Sequence, residues 1–353
     1  MKSPDPEKLN ALMGRLVGDL GAITTGALVL LGDKLGIYKA MGDGKAVTPE
    51  ELAAKTGLNE RYLREWLSAQ AAAGYVDYNS KSKKFKLTPE QAAAFADEGG
   101  PAFFAGAFEV AQCMWLDEGK VAEAFKSGDG VGWHEHSQCL FRGTERFFRP
   151  GYNNHLVSQW IPALKGVKEK LEKGARVADV GCGHGASTIL MALAYPKSKF
   201  FAYDYHAPSI ARARQLAKEA GVDKRITFAQ ASAKDFPAKD YDLVAFFDCL
   251  HDMGDPVGAG KHVKETLAKD GSWMIVEPFA NDDLKDNLNP VGRIYYAAST
   301  FICTPASRSQ EGGLGLGAQA GEARLKKVVK DAGFAKFRRA TETPFNLVFE
   351  ARN

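Results

Sequence analysis

Cysteine is scarce in this sequence, and its spacing suits no common structural site. The 353 residues include five cysteines, an odd number, and no Cys-x-x-Cys pair. These features argue against a disulfide framework and against a zinc knuckle. We therefore expect reduced thiols that are mostly buried.

The sequence also lacks an excess of charge of either sign. It has 46 Lys and Arg against 43 Asp and Glu, which leaves a net charge of +3. So even a balance predicts neither a nucleic acid nor a membrane as the partner. The composition, 45% hydrophobic and 25% charged, is typical of globular proteins, and the length suggests two domains.

Long hydrophobic runs are missing as well. The longest apolar stretch, residues 22–31, contains Thr24 and Thr25 and is shorter than the roughly 20 residues needed to span a bilayer. We expect this stretch to form a buried helix. The opening residues MKSPDPEKLN contain neither an apolar signal core nor an arginine-rich pattern. A cytoplasmic protein without a targeting segment is the resulting prediction.

The first part of the chain, residues 1–90, has the pattern of a winged helix. Thr48 and Glu51 form a capping-box signature that opens a short helix, and an amphipathic helix follows Gly57. Two short strands are predicted next, joined by the polar turn NSKSK. Residues 91–173 are rich in Ala, Phe and Glu with helical spacing, which predicts a helical connector.

The remaining residues, 174–353, alternate between apolar strands and helices. Nearly continuous apolar strands separated by helices predict a parallel sheet that is covered on both faces. The last two predicted strands are joined by the short turn TETP and form an antiparallel hairpin.

A glycine-rich turn lies between the first strand and helix of this part, in VADVGCGHGAST. Gly181, Gly183 and Gly185 lack a Cβ and let the backbone approach a ligand at the helix N-terminus. The looser pattern G-x-G-x-x-A, ending at Ala186, also fits this turn, so a nicotinamide dinucleotide is one ligand that the turn could bind. Asp204 ends the run KFFAYD, where a carboxylate can accept hydrogen bonds from both hydroxyls of a ribose.

Two further motifs follow later strands: Leu-His-Asp after the apolar run LVAFFDC, and Val-Glu-Pro. With the winged helix, the loop DVGCGHGAS, Asp204 and the terminal hairpin, they resemble bacterial S-adenosylmethionine-dependent methyltransferases related to the plant-type small-molecule O-methyltransferases. This resemblance covers nearly the whole chain and implies an α/β fold. Its Rossmann-like class I sheet is parallel with a C-terminal antiparallel hairpin and follows an α-helical winged-helix domain.

The cofactor that the resemblance implies is S-adenosylmethionine. The mid-chain position of the loop, the terminal hairpin and the His-Asp motif are unlike a dehydrogenase. By resemblance, Asp179 lies close to the amino group of the methionine moiety. Ser232 replaces the frequent Asp beside the adenine, so backbone atoms or Asp235 are alternative contacts there. The predicted cofactor-binding residues are Asp179, Gly181, Gly183, Gly185, Asp204, Tyr205, Ser232, Ala233, Phe247 and Asp248.

The resemblance also implies the catalytic residues. In plant-type enzymes the position of His251 holds the general base, and an imidazole can take a proton from a hydroxyl as its oxygen attacks the methyl group. Glu277 would orient or polarise this base, with Asp252 as the alternative partner. A packed or helix-capping histidine is the structural alternative for His251.

Predictions for the acceptor are less specific. An aromatic set between the fifth strand and the last helix lies where related enzymes build the acceptor pocket, although core packing or a dimer contact explains its spacing equally well. The predicted substrate residues are Tyr295, Tyr296, Ser299 and Trp160, the last as a possible cover for the cofactor. His134 and His136 have no third ligand at metal spacing, so no metal site is predicted.

The expected partners are a small-molecule acceptor and a second copy of the chain. The predicted recognition helix has little basic character, because Glu60 and Glu65 accompany Arg61 and Arg64, so DNA binding is not expected. Related O-methyltransferases dimerise through this module, and its apolar helices suit an interface. A transcriptional regulator with a ligand-sensing methyltransferase-like domain is the alternative function. Methylation at nitrogen or carbon instead of oxygen also stays open.

Overall fold

The computed structural model describes residues 3–353. The chain divides into two compact units, one made by residues up to 112 together with 142–150, the other by residues 113–141 and 151–353. The predicted connector, residues 91–173, is therefore shared between the units instead of forming a separate one. Two helices contain the division points, Ala105–Leu116 and Cys139–His155.

The first unit contains the predicted winged helix. Helix Pro49–Thr56 begins with the expected capping box between Thr48 and Glu51, and helix Glu60–Ala72 follows after a left-handed Gly57. The wing is an antiparallel pair, β1 (Asp77–Asn79) and β2 (Lys84–Lys86). The other helices of this unit are Pro6–Lys34, Ile37–Met41 and Pro89–Phe95.

The first helix differs from the prediction. It extends over Pro6–Lys34, far beyond residues 22–31, and most of it is exposed; of its residues, Val29 and Gly32 are buried. The prediction of a buried helix was wrong because, within residues 3–353, the other elements cover only a small part of its apolar side, around Leu28 and Val29. By length and composition alone, these 29 residues would also suffice to span a membrane. The apolar side chains exposed on it or just after it are Leu9, Leu12, Met13, Leu16, Val17, Leu20, Ile23, Leu31 and Leu35.

A buried arginine joins three parts of the first unit. The guanidinium of Arg146 donates to both carboxylate oxygens of Asp33, at 2.7 and 2.8 Å, and to Glu109 at 3.0 Å. Its Nε also donates to Glu98 at 2.9 Å. Only 6% of the Arg146 side chain is exposed, so its charge depends on these carboxylates.

The second unit is built on a seven-stranded sheet. Its strands are β3 (Arg176–Val180), β4 (Lys199–Asp204), β5 (Ile226–Gln230), β6 (Tyr241–Phe247), β7 (Leu267–Pro278), β8 (Lys336–Glu342) and β9 (Asn346–Arg352). The first five run parallel and the last two form the predicted antiparallel hairpin, in the spatial order β5-β4-β3-β6-β7-β9-β8.

Helices connect the parallel strands and cover the sheet, because each strand is apolar on both faces and must be shielded from water. The α-helices of this unit are Glu118–Ser127, Ile161–Ala163, Val167–Lys173, Ala186–Ala194, Ala207–Glu219, Pro256–Thr266, Pro290–Ala298, Thr304–Arg308 and Gly321–Asp331. Two π-helical segments are Leu156–Trp160 and Ser299–Cys303, and the short 3-10 segments are Trp133–Glu135, Asp223–Arg225, Leu250–Asp252 and Leu284–Asn287.

The strand order places the polar motifs together. The order reverses between β3 and β6, and in open sheets of this kind ligands bind outside the carboxyl ends of the strands at such a point. Gly181 follows β3, Asp204 ends β4, and His251 follows β6. The candidate site is therefore at this edge of the sheet.

Candidate active site

The glycine turn after β3 is shaped by backbone conformations that favour glycine. Gly181, Gly183 and Gly185 have φ values of +75°, +52° and +80°. A Cβ on Gly181 would lie 2.8 Å from the Cys249 sulfur, whereas a Cβ on Gly183 would meet no atom within 4 Å. The space beside Gly183 is therefore open for a ligand to approach the backbone.

Asp204 lies at the end of β4 and ties this turn to the neighbouring strand. Its Oδ2 accepts the Gly183 N–H at 2.9 Å and its Oδ1 accepts the His206 N–H at 2.8 Å. Burial raises the pKa of the Asp204 carboxyl, although the two N–H donors oppose that shift. Each carboxylate oxygen has two lone pairs and uses one of them for these bonds, so each can also accept a hydrogen bond from a ligand hydroxyl.

Asp179 lies on β3 and is almost completely buried. Its Oδ2 accepts the hydroxyls of Ser187 and Thr188, both at 2.6 Å. Its Oδ1 has no hydrogen-bond partner within residues 3–353. Burial raises the pKa of this carboxyl to about 6. A buried carboxylate oxygen without a donor suits a ligand that brings one, such as an amino group.

Other predicted cofactor residues have roles within the protein. Asp248 follows β6 with a φ of +50°, and its two oxygens accept Tyr152 Oη at 3.0 Å and Asn346 Nδ2 at 2.8 Å. Burial raises its pKa to about 8. The Phe247 ring packs against Tyr152, with ring centroids 5.5 Å apart. These contacts fix the backbone at the end of β6, where the His251 segment begins.

Beyond β5, the predicted adenine contacts lie in a tight turn. Ser232 N–H donates to Asp235 Oδ1 at 2.7 Å, and the Ser232 hydroxyl accepts the Lys234 N–H at 3.2 Å. Ala233 is partly buried in the same turn. Tyr205, directly after Asp204, is 44% exposed, and its ring lies nearly perpendicular to the His134 ring.

His251 is held between two carboxylates. Its Nδ1 lies 2.5 Å from Glu277 Oε2, and its Nε2 lies 3.1 Å from Asp252 Oδ1. His251 and Glu277 are almost fully buried, and Glu277 Oε1 also accepts the Leu250 N–H at 3.1 Å. Burial opposes a charge on the imidazole, but Asp252 and Glu277 outweigh it and raise the pKa of His251 well above its ordinary value. Both predicted partners of His251 are thus present.

The structure adds a thiol that sequence reasoning missed. The Cys303 sulfur, His251 and Asp252 have ligand-type atoms within 4.8 Å of one another. Burial raises the pKa of the Cys303 thiol to about 12. Cys303 is the last residue of the π-helical segment Ser299–Cys303, which carries it to the site. No sequence motif surrounds Cys303, so the sequence does not indicate this position.

Most residues predicted to bind the methyl acceptor are buried or hydrogen-bonded within the protein. Tyr295 is buried and its hydroxyl donates to the Phe345 carbonyl at 2.8 Å, while Ser299 Oγ accepts the Ala318 N–H at 3.1 Å. Tyr296 is partly buried. Trp160 is completely buried beside Tyr152. In the sequence, two further helices lie between Trp160 and β3. Of this set, Tyr296 has the exposure that a pocket residue needs.

His136 lies next to two side chains of the metal-ligand type that its sequence context does not indicate. The sequence offers no third ligand at metal spacing beside His134 and His136, but the fold brings ligand-type atoms of Cys113, Asp117 and His136 within 4.8 Å of one another. Cys113 and Asp117 are distant from His136 in the sequence and reach it only through the fold, and the absence of a metal site stays a prediction. The three side chains are joined by hydrogen bonds through Asp117. Its Oδ2 accepts from the Cys113 thiol at 3.1 Å and lies 3.0 Å from His136 Nδ1.

Comparison with known proteins gives two family matches. Residues 171–333 match the model described as a methyltransferase domain, and residues 22–96 match the Rv2258c-like winged HTH domain. The chain therefore carries an N-terminal winged helix followed by a methyltransferase domain, as the sequence predicted.

Curated relatives match over short segments only. A trans-aconitate 2-methyltransferase from Streptomyces avermitilis is 33% identical over 92 residues, which is 26% of this chain and 34% of that protein. A 27-O-demethylrifamycin SV methyltransferase from Amycolatopsis mediterranei is 34% identical over 87 residues, 24% of this chain and 32% of that protein. The match thus spans about a third of each of these two relatives.

Solved structures match over the whole chain. An O-methyltransferase family protein from Burkholderia thailandensis has a TM-score of 0.69 at 17% identity and covers 100% of this chain and 99% of its own. Human N-acetylserotonin methyltransferase, solved with S-adenosylmethionine, has a TM-score of 0.67 at 15% identity and the same coverages. At this identity, the likeness shows a shared fold.

Proposed function

We propose that this methyltransferase binds S-adenosylmethionine and transfers its methyl group to a hydroxyl of a small molecule. The observation that supports this most strongly is the arrangement at one sheet edge within the methyltransferase domain. There Asp204 ends β4, Asp179 has an unpartnered oxygen, and His251, after β6, lies against Glu277 near the end of β7. These groups suit the two ends of the cofactor and a proton acceptor beside it.

The residues present fit the cofactor. Asp204 would accept hydrogen bonds from the two ribose hydroxyls, and Asp179 Oδ1 would accept one from the amino group of the methionine moiety. The open space at Gly183 admits this moiety next to the backbone. When bound, the cofactor supplies a sulfonium-linked methyl group, which a nucleophile removes while the carbon–sulfur electron pair stays on sulfur.

His251 is the proposed base for the acceptor hydroxyl. Its Nδ1 faces Glu277, which fixes the ring, so Nε2 is the nitrogen that can exchange a proton with an acceptor. The Asp252 carboxylate lies beside that nitrogen and would stabilise the positive charge of the protonated imidazole. Because the pKa of His251 is raised, its neutral form accumulates at higher pH than that of an ordinary histidine.

Calorimetric titration with S-adenosylmethionine tests the proposed cofactor. We expect Asp204→Ala to weaken binding by about 100-fold, because two hydrogen bonds to a charged carboxylate are lost, each worth about 1.5 kcal/mol or more. Asp223→Ala removes an exposed carboxylate elsewhere in the same domain and should leave the affinity unchanged. No binding by the unaltered protein would overturn the proposed function.

We propose that the long N-terminal helix forms the interface of a homodimer. Leu16 and Leu20 are 49% and 62% exposed, and covering a large apolar side chain stabilises by about 1.5–3 kcal/mol. A second copy presents the same apolar face, which is the arrangement that a twofold interface requires.

Analytical ultracentrifugation should therefore show a dimer for the unaltered protein and a monomer for the double variant Leu16→Glu and Leu20→Glu. Lys8→Glu places the same charge on the helix without touching its apolar side chains, and it should remain dimeric. A monomeric unaltered protein would contradict the proposed interface.

DNA is not a proposed partner of the winged helix. Arg64 lies 2.5 Å from Glu60 and 2.7 Å from Glu50, and Arg61 lies 2.5 Å from Glu65. The carboxylates neutralise the arginines that would otherwise contact phosphates. The comparisons likewise do not favour the alternative of a transcriptional regulator.

A further inference from the structure

A short segment of the second unit crosses from one side of the candidate site to the other. At its start, the Val131 N–H donates to the Pro305 carbonyl at 3.1 Å, beside Cys303. Further on, the His134 ring meets Tyr205, the residue after Asp204, with ring centroids 6.0 Å apart. Residues 131–136, here called the bridging segment, therefore link the His251 side of the site with the ribose side.

His136, at the end of the bridging segment, is oriented by a buried carboxylate. Asp117 lies 3.0 Å from His136 Nδ1 and also accepts the Ser137 N–H and the Lys120 ammonium, both at 2.8 Å. Burial works against its charge, but these donors hold the pKa of Asp117 well below its usual range. An ionised Asp117 requires a proton on Nδ1, so Nε2 of the neutral ring carries the free lone pair.

That lone pair has no donor. His136 Nε2 is buried and bonds to no group in the described chain, and the side chain as a whole is 1% exposed. Leaving a buried acceptor unpaired costs about 1–3 kcal/mol, so such an atom at the edge of a site indicates a ligand donor. His136 belongs to the bridging segment, which bonds the Pro305 carbonyl at its start and meets Tyr205 through the His134 ring, so it lies beside the candidate site.

We propose that His136 is a second proton acceptor of the methyl transfer, with Nε2 receiving the hydrogen bond and then the proton of the acceptor hydroxyl. This inference rests on the proposed function. As the acceptor oxygen bonds to the methyl carbon, the carbon–sulfur bond breaks and its electron pair stays on sulfur. The hydroxyl proton passes to Nε2, which leaves a methyl ether, a neutral thioether and an imidazolium that Asp117 stabilises.

The two imidazoles differ in their surroundings. Burial lowers the pKa of His136, with Lys120 acting in the same direction and Asp117 and Asp252 against it. His251, between Glu277 and Asp252, is shifted upward. Groups whose environments push their pKa values apart can divide acid and base roles between them. His136 therefore loses its proton at lower pH than His251 and can serve as a base where His251 is less able to do so.

The test is the pH dependence of kcat/KM with S-adenosylmethionine and a panel of small phenols, including phenol and catechol. We expect the unaltered protein to rise in two steps, one below the ordinary histidine pKa and one well above it. His136→Asn should lose the lower step and reduce kcat/KM at neutral pH by about 10²-fold to 10⁴-fold. His251→Asn should lose only the upper step, and added imidazole should partly restore the His136→Asn variant.

Calorimetry and thermal unfolding separate catalysis from structure. His136→Asn should bind S-adenosylmethionine with unchanged affinity, and so should His262→Asn, a control whose ring bonds the Phe236 carbonyl. If His136→Asn retains neutral activity within threefold of the unaltered protein, the inference is wrong. If the unaltered protein binds no cofactor, the proposed function fails first and the inference falls with it.

A measurement without substitution covers the case in which the His136 variants do not fold. Nitrogen-15 NMR of histidine-labelled protein reports the protonation state of each ring nitrogen. We expect His136 at neutral pH to carry its proton on Nδ1 and none on Nε2, and its Nε2 signal to shift when phenol is added. A proton on Nε2 at neutral pH would overturn the inference.

Discussion

Replacing His251 by alanine is expected to lower kcat at alkaline pH by about 10²-fold to 10⁴-fold, because the proposed base is lost where its neutral form is populated. The affinity for S-adenosylmethionine should not change, since His251 is separate from the groups proposed to hold the cofactor. Methyl transfer to the phenol panel, measured between about pH 6 and pH 10, gives the kinetic result. Equal activity of variant and unaltered protein across this range would remove His251 from its proposed role.

The neighbours of His251 provide a check on the direction of the pH effect. Asp252 and Glu277 favour the charged imidazolium and raise the pKa of His251. Asp252→Asn removes one negative charge, so the pKa of His251 should fall and the upper activity step should move to lower pH. A step that stays in place or moves to higher pH would show that the titrating group is not His251.

Replacing Arg146 by methionine should destabilise the first unit by about 3–5 kcal/mol, because removing one partner of a buried ion group leaves uncompensated charges. Asp33 and Glu109 would lose the guanidinium that they bond, and both of their side chains are largely buried. Chemical denaturation by urea, followed by fluorescence and circular dichroism, measures the loss.

Lys126→Met is the matched control for this substitution. Lys126 pairs with Glu123 at 2.7 Å, but both side chains are more than 70% exposed. Exposed ion pairs contribute about 0–1 kcal/mol, so this variant should unfold at nearly the same urea concentration as the unaltered protein. Similar stability losses in the two variants would contradict the importance of burial at Arg146.

Much of the fold could be predicted because local patterns and tertiary structure agree. The capping box at Thr48 begins a helix, as its hydrogen-bonding pattern requires, and the apolar runs around Ala178 and Ala245 form the parallel strands. The buried strands need cover on both faces, and the intervening helices supply it. The terminal hairpin occurs as predicted and is formed by β8 and β9.

The first helix shows where local pattern is insufficient. Its apolar residues indicate that a face needs covering, but they do not indicate whether the same chain provides the cover. We expected burial within one chain, and the fold leaves Leu16 and Leu20 exposed. Deciding between a core and an interface requires the positions of all other elements.

The candidate site divides in the same way. Asp204 and His251 were predictable because each directly follows a buried strand, and parallel strands end at a shared edge. The sequence by itself thus determined the family, the sheet and the part of the site built on strand ends. Only the tertiary structure decided the partners of His136, Cys303 and Arg146, because these contacts join residues far apart in the sequence, and a local pattern does not show which helices and connecting segments pack together.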